Sequence, residues 1–219
     1  GLSAPPRDPV VAEWFGGGAT ASGMAVTSTN ALELSTVYAC VRVLAESVAM
    51  LPTIVYRRLE DGGKERDPDH PLHDILHNQP NRWQTAFEFK EMLMGHLTLR
   101  GNAYAEIIAP SSRFVEELVP LHPDRVQPFR APDGRIAYRH QPEKGSQRIL
   151  LQHEMFHIRG LSSDGIIGLN PIRLQRETLG LAMATQEHGA RLFGNGADPG
   201  GAIKVPAALD DEAVKELID

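Results

Sequence analysis

The chain has 219 residues, of which 42% are hydrophobic and 23% are charged, a composition typical of a folded globular protein. Its formal net charge of −6 argues against tight binding to nucleic-acid phosphates, which usually requires a basic surface. The single cysteine, Cys40, excludes an intramolecular disulfide and a cysteine zinc cluster, and its residue type favours a small core side chain. No apolar run approaches the roughly 18 residues that span a bilayer, so no membrane association is predicted.

The first 30 residues predict a flexible N-terminal arm. They are rich in Gly, Ala, Ser, Thr and Pro, with three glycines at residues 16–18, and this composition buries little apolar surface. Trp14 and Phe15 are the only large anchors in the arm. This composition fits two alternatives: an arm whose two aromatic side chains dock on a neighbour, or a disordered tail.

Helical signals dominate the next 70 residues. Ser35 is a suitable N-cap for a first helix, which Pro52 ends. A strand over residues 53–58 and a short helix over residues 70–77 follow. Thr85 and Glu88 have the spacing of a capping box that opens a helix over residues 86–100, and Gly101-Asn102 is predicted to end this helix as a C-cap. The apolar stripe of the first helix consists of Val37, Val41, Leu44 and Val48.

From Ala103 the pattern changes to short alternating segments separated by turn residues, which predicts strands. They cover residues 104–108, 115–121, 126–130, 136–140 and 148–151. Strands that follow two helices predict an α+β fold in which helices pack on an antiparallel β meander.

Helical signals return after a loop over residues 160–170. They predict a long helix over residues 171–193, then a short strand over residues 202–205. Asp210 is an N-cap for a last helix, inside which the chain ends, and this ending predicts a truncated protein.

One string carries a catalytic signature. His153-Glu154-Met155-Phe156-His157 matches H-E-x-x-H, in which two histidines on one helical face bind zinc and the glutamate activates water. Glu177, twenty residues past His157, lies near the position of a third ligand in one metalloprotease class. However, the preceding residues are β-rich and Gly160 follows closely, so the segment favours a strand, in which the two histidines lie far apart. The zinc metallopeptidase remains the alternative function.

A second histidine group gives a weaker metal signal. His73 and His77 share a helical face, whereas His70 precedes Pro71 and is predicted to lie outside the helix. Solvated or capping histidines are the favoured interpretation. Neither a G-x-S-x-G elbow nor a P-loop occurs in the sequence.

Six segments, taken in order over residues 31–205, resemble the HK97-type phage portal family. They are residues 31–52 ending in Leu-Pro, 70–81 beginning His-Pro-Leu, 87–104 ending in Gly-Asn-Ala-Tyr, 118–126, 157–172 beginning His-Ile-Arg-Gly, and 192–201 containing Phe-Gly-Asn-Gly-Ala. One departure is Asn170, where the family commonly has Ser before Pro, and either residue caps a helix.

The resemblance implies a structural subunit and no enzyme. Residues 1–30 would be an arm, residues 31–205 the portal wing and residues 206–219 the start of the stem helix, with the rest of the stem, the clip and the crown absent. The full-length protein would form a dodecameric ring at the capsid vertex of the virion, assembled in the host cytoplasm. Its partners would be terminase, capsid or scaffold proteins, head–tail adaptors and double-stranded DNA passing without sequence preference. No cofactor, catalytic residue or metal ligand is implied.

Candidate channel-facing residues follow from the same resemblance. They are the acidic residues of the last helix: Asp210, Asp211, Glu212 and Glu216. Helix-dipole partners or solvated charges explain them equally well. With most channel-forming elements missing, the chain is expected to be a monomer or a weak oligomer.

Overall fold

The structure, a computed structural model, describes residues 20–109 and 114–196. Helices are numbered α1 to α5 and strands β1 to β8 in chain order. The helices are Ser35–Ala49 (α1), Pro71–His77 (α2), Ala86–Arg100 (α3), Pro171–Leu174 (α4) and Arg176–Gly194 (α5). The strands are Tyr56–Arg58 (β1), Lys64–Arg66 (β2), Asn102–Ile108 (β3), Glu117–Leu121 (β4), Val126–Arg130 (β5), Ile136–His140 (β6), Arg148–Leu151 (β7) and Met155–Arg159 (β8).

The strands form a short hairpin, β1–β2, and two three-stranded antiparallel sheets. The first sheet has the order β4-β3-β8, with Tyr104 opposite Leu121 on one side and opposite His157 on the other. The second sheet has the order β5-β6-β7. The predicted α+β class is confirmed, but the single meander divides into two sheets, because β8 returns to pair with β3 after the second sheet is complete.

Strand β3 connects two of the three cores through the alternation of its side chains. Ala103 and Ala105 face one core, with Phe89 and Leu93 of α3. Tyr104 faces the opposite core, which lies between the two sheets and contains the fully buried ring of this tyrosine. Small alanines let α3 approach the sheet closely, and the large tyrosine fills the space between the sheets. The inter-sheet core consists of Tyr104, Leu121, Val126, Tyr138, Leu150 and Met155.

Local signals set the ends of α3 as predicted. The Thr85 hydroxyl accepts from the backbone N–H of Glu88, and the Glu88 carboxylate accepts from the backbone N–H of Thr85 at 2.8 Å. At the other end, Gly101 is the C-cap with φ 76°, in the left-handed region that favours glycine. The bounds Ala86–Arg100 match the sequence prediction.

The structure corrects the boundary predicted for the N-terminal arm. Within residues 20–30, which the sequence assigned to a flexible segment, Val26 is buried in a third core with Leu99, Ile172 and Met183. Thr20 is buried as well. These residues pack because their apolar side chains, although scattered along the sequence, contact the apolar surface that includes Leu99, Ile172 and Met183. Composition alone does not predict such long-range contacts.

Other details also differ from the sequence prediction, among them the first residues of three predicted strands, which begin at 56, 102 and 117 instead of 53, 104 and 115. The helix predicted over residues 171–193 divides at Gln175 into α4 and α5, and β2 forms where no strand was predicted. The predicted strand over residues 202–205 and the predicted helix from Asp210 lie outside the described residues.

The chain divides into two compact units, residues 1–183 and 184–219. In the described part of the second unit, residues 184–194 continue α5. None of the helices within residues 20–109 and 114–196 is both long and apolar enough to cross a bilayer.

Candidate functional site

The H-E-x-x-H residues do not lie on one helix. His153 and Glu154 belong to a 3-10 turn, Gln152–Glu154, and His157 belongs to β8. The Glu154 carboxylate accepts the backbone N–H of Leu151 at 2.7 Å and so closes the turn. The helical face that the zinc-protease motif requires is therefore missing here, as the sequence context predicted.

His157 is committed to a hydrogen-bond network. One ring nitrogen, Nε2, lies 3.0 Å from Asn102 Oδ1, and the other, Nδ1, lies 3.2 Å from the Tyr138 hydroxyl. Because an amide oxygen only accepts, Nε2–H donates to Asn102 and Nδ1 accepts from Tyr138. Both nitrogens of a neutral imidazole are thus used, which leaves neither free to ligate a metal ion.

The pKa values fit this neutral tautomer. Burial lowers the pKa of His157 to about 4, and the charge of Arg159 acts in the same direction. Burial also raises the pKa of the Tyr138 phenol. At neutral pH the histidine is therefore uncharged and the tyrosine is protonated, which is the combination that the two hydrogen bonds require.

Asn102 extends the network to the loop that precedes α4. Its Oδ1 accepts the backbone N–H of Gly168 at 2.8 Å, and its Nδ2 donates to the carbonyl of the same glycine at 2.9 Å. This two-point pairing fixes the loop against the start of β3. Hydrogen bonds thereby connect the second sheet, the first sheet and the loop. They run from Tyr138 through His157 and Asn102 to the backbone of Gly168.

Three glycine backbones meet beside this network. The Gly160 N–H donates to the Gly101 carbonyl at 2.8 Å. A Cβ atom on Gly168 would lie 1.9 Å from the Gly101 oxygen, and one on Gly101 would lie 2.0 Å from the Leu169 oxygen. Only residues without side chains allow the loop, the end of α3 and the end of β8 to pass so closely. We call these three glycines, together with Asn102, Tyr138 and His157, the junction.

The histidines of α2 have structural contacts. His70 caps the helix, with its Nδ1 accepting the Leu72 N–H at 3.1 Å, as its predicted position outside the helix indicated. His73 and His77 stack with ring centroids 4.9 Å apart, and His77 Nδ1 lies 3.0 Å from the Thr53 carbonyl oxygen. In the described part of the chain, no group of three or more His, Cys, Asp or Glu side chains is arranged to hold a metal ion.

The remaining sequence candidates have mixed outcomes. Cys40 is exposed on α1, so the predicted core position is wrong. Glu177 accepts the Ala21 N–H at 3.0 Å and thus anchors the N-terminal segment. The candidate channel residues Asp210, Asp211, Glu212 and Glu216 lie outside the described residues. Sequence reasoning placed Asn102 at a helix end and in the Gly-Asn-Ala-Tyr segment, and it missed Tyr138, whose contact with His157 spans two sheets and leaves no local signal.

The junction is a structural element that holds two sheets and a loop in a fixed arrangement, and its groups satisfy one another. A family model described as phage portal protein matches residues 35–219. The match covers most of the chain, which therefore belongs to the phage portal protein family. All junction residues except Tyr138 lie in the segments, residues 87–104 and 157–172, on which the sequence resemblance rests.

Individual relatives agree with this assignment. The portal protein of Enterobacteria phage HK97 is 31% identical over 173 residues, which cover 78% of this chain and 40% of that protein. The neck of an empty gene transfer agent particle, computed with C6 symmetry, has a TM-score of 0.65 and 25% identity, and the match covers 97% of this chain and 60% of that chain. The neck of a native particle, computed with C12 symmetry, matches in fold with a TM-score of 0.61 at 23% identity, over 95% of this chain and 57% of that one. The chain thus spans less than half the length of the HK97 protein.

Proposed function

We propose that this chain is the wing portion of a portal protein that forms a ring at the capsid vertex, conducts double-stranded DNA during packaging and ejection, and connects head to tail. The observation that carries the proposal is the family match over residues 35–219, which includes every described helix and strand from α1 onward. In this assignment residues 31–205 are the wing, with residues 20–30 packed on it, and residues 206–219 begin the stem helix.

The ring is proposed to contain twelve subunits. The C12 symmetry applied to the neck of the native gene transfer agent particle supports this number. A cyclic ring uses heterologous contacts, so two different faces of each wing meet around the ring. Terminase, capsid or scaffold proteins and head–tail adaptors are the proposed protein partners, and the virion is the proposed location after assembly in the host cytoplasm.

We further propose that the protein is not an enzyme and that packaging energy comes from terminase. The use of both His157 nitrogens in the junction supports this view against the zinc metallopeptidase. Asp210, Asp211, Glu212 and Glu216 are proposed to face the channel, where acidic side chains would repel DNA phosphates and limit friction.

Negative-stain electron microscopy of the full-length protein, with zinc assayed on the same sample, tests the proposal. Rings with a central hole and no stoichiometric zinc are the expected result. Zinc-loaded monomers without rings would instead make the metallopeptidase the leading function. A variant with His157 replaced by Gln separates the two functions further, because a peptidase would lose its zinc, whereas a portal subunit would lose only stability.

A further inference from the structure

The β1–β2 hairpin carries a cationic face. Side chains alternate between the two faces of a strand, so Arg58 of β1 lies on the same face as Lys64 and Arg66 of β2. Tyr56 shares this face, because the Lys64 ammonium lies 5.2 Å from the centre of its ring. All residues of both strands are exposed. Within residues 20–109 and 114–196, no carboxylate forms an ion pair with Arg58, Lys64 or Arg66, so three positive charges face solvent together.

This cationic face is unfavourable for the hairpin by itself. The backbone N–H of Leu59 donates to the Gly63 carbonyl at 2.9 Å. Because the two types of pair alternate along an antiparallel ladder, the adjacent pair of Arg58 and Lys64 is non-hydrogen-bonded, with Cα atoms about 4.5 Å apart. Like charges directly opposite each other destabilise a pair of strands. Local arrangements that cost stability are typical of functional sites, so this face is a candidate docking surface for an anionic group.

The outer edge of β2 offers backbone hydrogen-bonding groups beside these charges. Among the strands of the described residues, only β1 pairs with β2. In a non-hydrogen-bonded pair the N–H and C=O groups point away from the partner strand, so those of Lys64 and Arg66 point outward at the free edge. An extended segment can bind such groups as an additional strand. Its side chains opposite Lys64 and Arg66 then lie on the cationic face.

We propose that this edge binds an extended acidic segment of a partner protein, in which two carboxylates are separated by one uncharged residue. The segment adds to β2 as a third strand, and its two carboxylates accept hydrogen bonds from Lys64 and Arg66. The residue between them lies on the opposite face, beside Glu65. A carboxylate there finds no free cation, because Arg57 already pairs with Glu65. The spacing of the acids, and not their number alone, therefore determines binding.

The surroundings of the hairpin favour a narrow peptide over a DNA duplex. The cationic face extends over three residues of two strands, about 7 Å by 5 Å. A duplex presents phosphates on both sides of a major groove about 12 Å wide, so it also approaches the carboxylates next to the strands. These carboxylates, which repel phosphates, belong to Glu60, Asp61, Asp67 and Asp69. A segment with two acids brings no charge beyond those that Lys64 and Arg66 neutralise.

Two peptides of identical composition test the proposal. The acids alternate in Val-Thr-Glu-Thr-Glu-Thr-Val and are adjacent in Val-Thr-Glu-Glu-Thr-Thr-Val, so the second peptide presents only one carboxylate to the cationic face. Each is titrated into the isotope-labelled chain, and amide shifts and exchange rates are followed by nuclear magnetic resonance. With the alternating peptide we expect the Lys64 and Arg66 amides to shift and to exchange several-fold more slowly, because they gain hydrogen bonds. The Glu65 amide, which points towards β1, is the internal reference.

Single substitutions locate the bound peptide. Lys64→Gln and Arg66→Gln, made separately, are each expected to weaken binding of the alternating peptide about two- to fivefold, the effect of losing one exposed ion pair. The peptide with adjacent acids is expected to bind more weakly by a similar factor. Arg57→Gln is the matched control, because it removes the same charge from the opposite face of the same hairpin, and we expect a smaller change from it. Amide spectra outside the hairpin check that each variant is folded.

Any of three results would overturn the proposal. Unchanged Lys64 and Arg66 amides at millimolar concentrations of the alternating peptide would show that the edge accepts no strand. Equal affinity for the two peptides, or an effect of Arg57→Gln as large as that of Lys64→Gln, would reduce the binding to attraction between net charges. A short DNA duplex that displaces the alternating peptide and shifts the same amides would assign the surface to nucleic acid.

Discussion

The backbones of Gly168 and Gly101 pass so closely that neither position accepts a side chain. A Cβ atom on Gly168 would lie 1.9 Å from the Gly101 oxygen and 3.0 Å from the Gly160 nitrogen, and these are backbone atoms that cannot rotate away. We expect Gly168→Ala to lower the free energy of unfolding by at least about 3 kcal/mol or to prevent folding. Urea denaturation followed by circular dichroism measures this change.

Gly95→Ala is the control for that substitution. Gly95 lies within α3, and a Cβ atom there would have no heavy atom within 4 Å. We expect this variant to raise the free energy of unfolding by up to about 1 kcal/mol, because alanine favours the helix. Equal stability of the two variants would contradict the close approach at the junction.

His157 makes stability depend on pH through its lowered pKa. Its pKa falls from 6.5 to about 4 on folding, so the unfolded chain binds more protons between these values, and protonation favours unfolding. The stabilising effect is complete above about pH 6.5 and is lost as the pH falls towards 4. His96, whose pKa burial also lowers to about 4, contributes in the same direction.

We therefore expect His157→Gln to reduce the slope of unfolding free energy against pH between 4 and 6.5. The reduction is limited to one proton, which corresponds to about 1.4 kcal/mol per pH unit. Tyr138→Phe keeps the histidine and removes its hydroxyl partner, so it is expected to lower stability and retain most of the slope. Urea titrations at several pH values measure both, and an unchanged slope in His157→Gln would contradict the assignment of this proton.

At the scale of elements, α3 depends on its capping box. Thr85→Ala removes the hydroxyl that accepts the Glu88 N–H, and we expect the free energy of unfolding to fall by about 1 kcal/mol. Glu88→Gln keeps a side chain that caps in the same way and is expected to cost less. Thr36→Ala, on the exposed face of α1, is the matched control and is expected to leave stability nearly unchanged. A cost for Thr36→Ala equal to that for Thr85→Ala would mean that the box does not stabilise the helix.

The accuracy of the sequence predictions follows the range of the interactions involved. The ends of α3 and the bounds of β5, β6 and β7 were predicted correctly, because caps, turn residues and side-chain alternation are local. The pairing of β8 with β3 was not predicted, because the whole second sheet lies between these two strands in the sequence. The alternation of side chains in a strand does not indicate which strand it pairs with. The packing of residues 20–30 was missed for the same reason, because the core that buries Val26 includes Leu99, Ile172 and Met183, which lie more than 70 positions away.

The junction shows the same limit at the level of a site. Gly101 was predicted from its place after a helix, and His157 was noted as part of a motif. Their meeting with Asn102, Tyr138 and Gly168 depends on three distant segments and carries no local sequence signal. The family resemblance included the segments of Asn102 and Gly168 but not the strand of Tyr138, and it did not indicate which atoms are in contact.

For the whole molecule, the charge balance predicts a weak affinity for DNA. The chain has 22 Lys and Arg against 28 Asp and Glu, and several arginines are engaged by carboxylates, among them Arg148 with Glu106 and Arg125 with Glu143. Acidic side chains therefore outnumber the cations that could replace the counterions of a duplex. We expect binding of a short duplex at physiological salt to be no tighter than the weak end of non-specific affinities, a Kd of about 10⁻⁴ M.

Fluorescence anisotropy of a labelled duplex measures this affinity, and neutralising carboxylates provides the contrast. Glu60→Gln, Asp61→Asn and Asp69→Asn together change the net charge from −6 to −3 beside the basic β1–β2 hairpin, because each removes one negative charge. We expect this triple variant to bind DNA measurably at low salt, with an affinity that falls steeply as salt is added. Sub-micromolar binding of the duplex by the unmodified chain at physiological salt would contradict the expected weak affinity for DNA. Weak binding that the triple variant strengthens would mean that acidic residues, and not a lack of contact surface, keep the duplex from adhering.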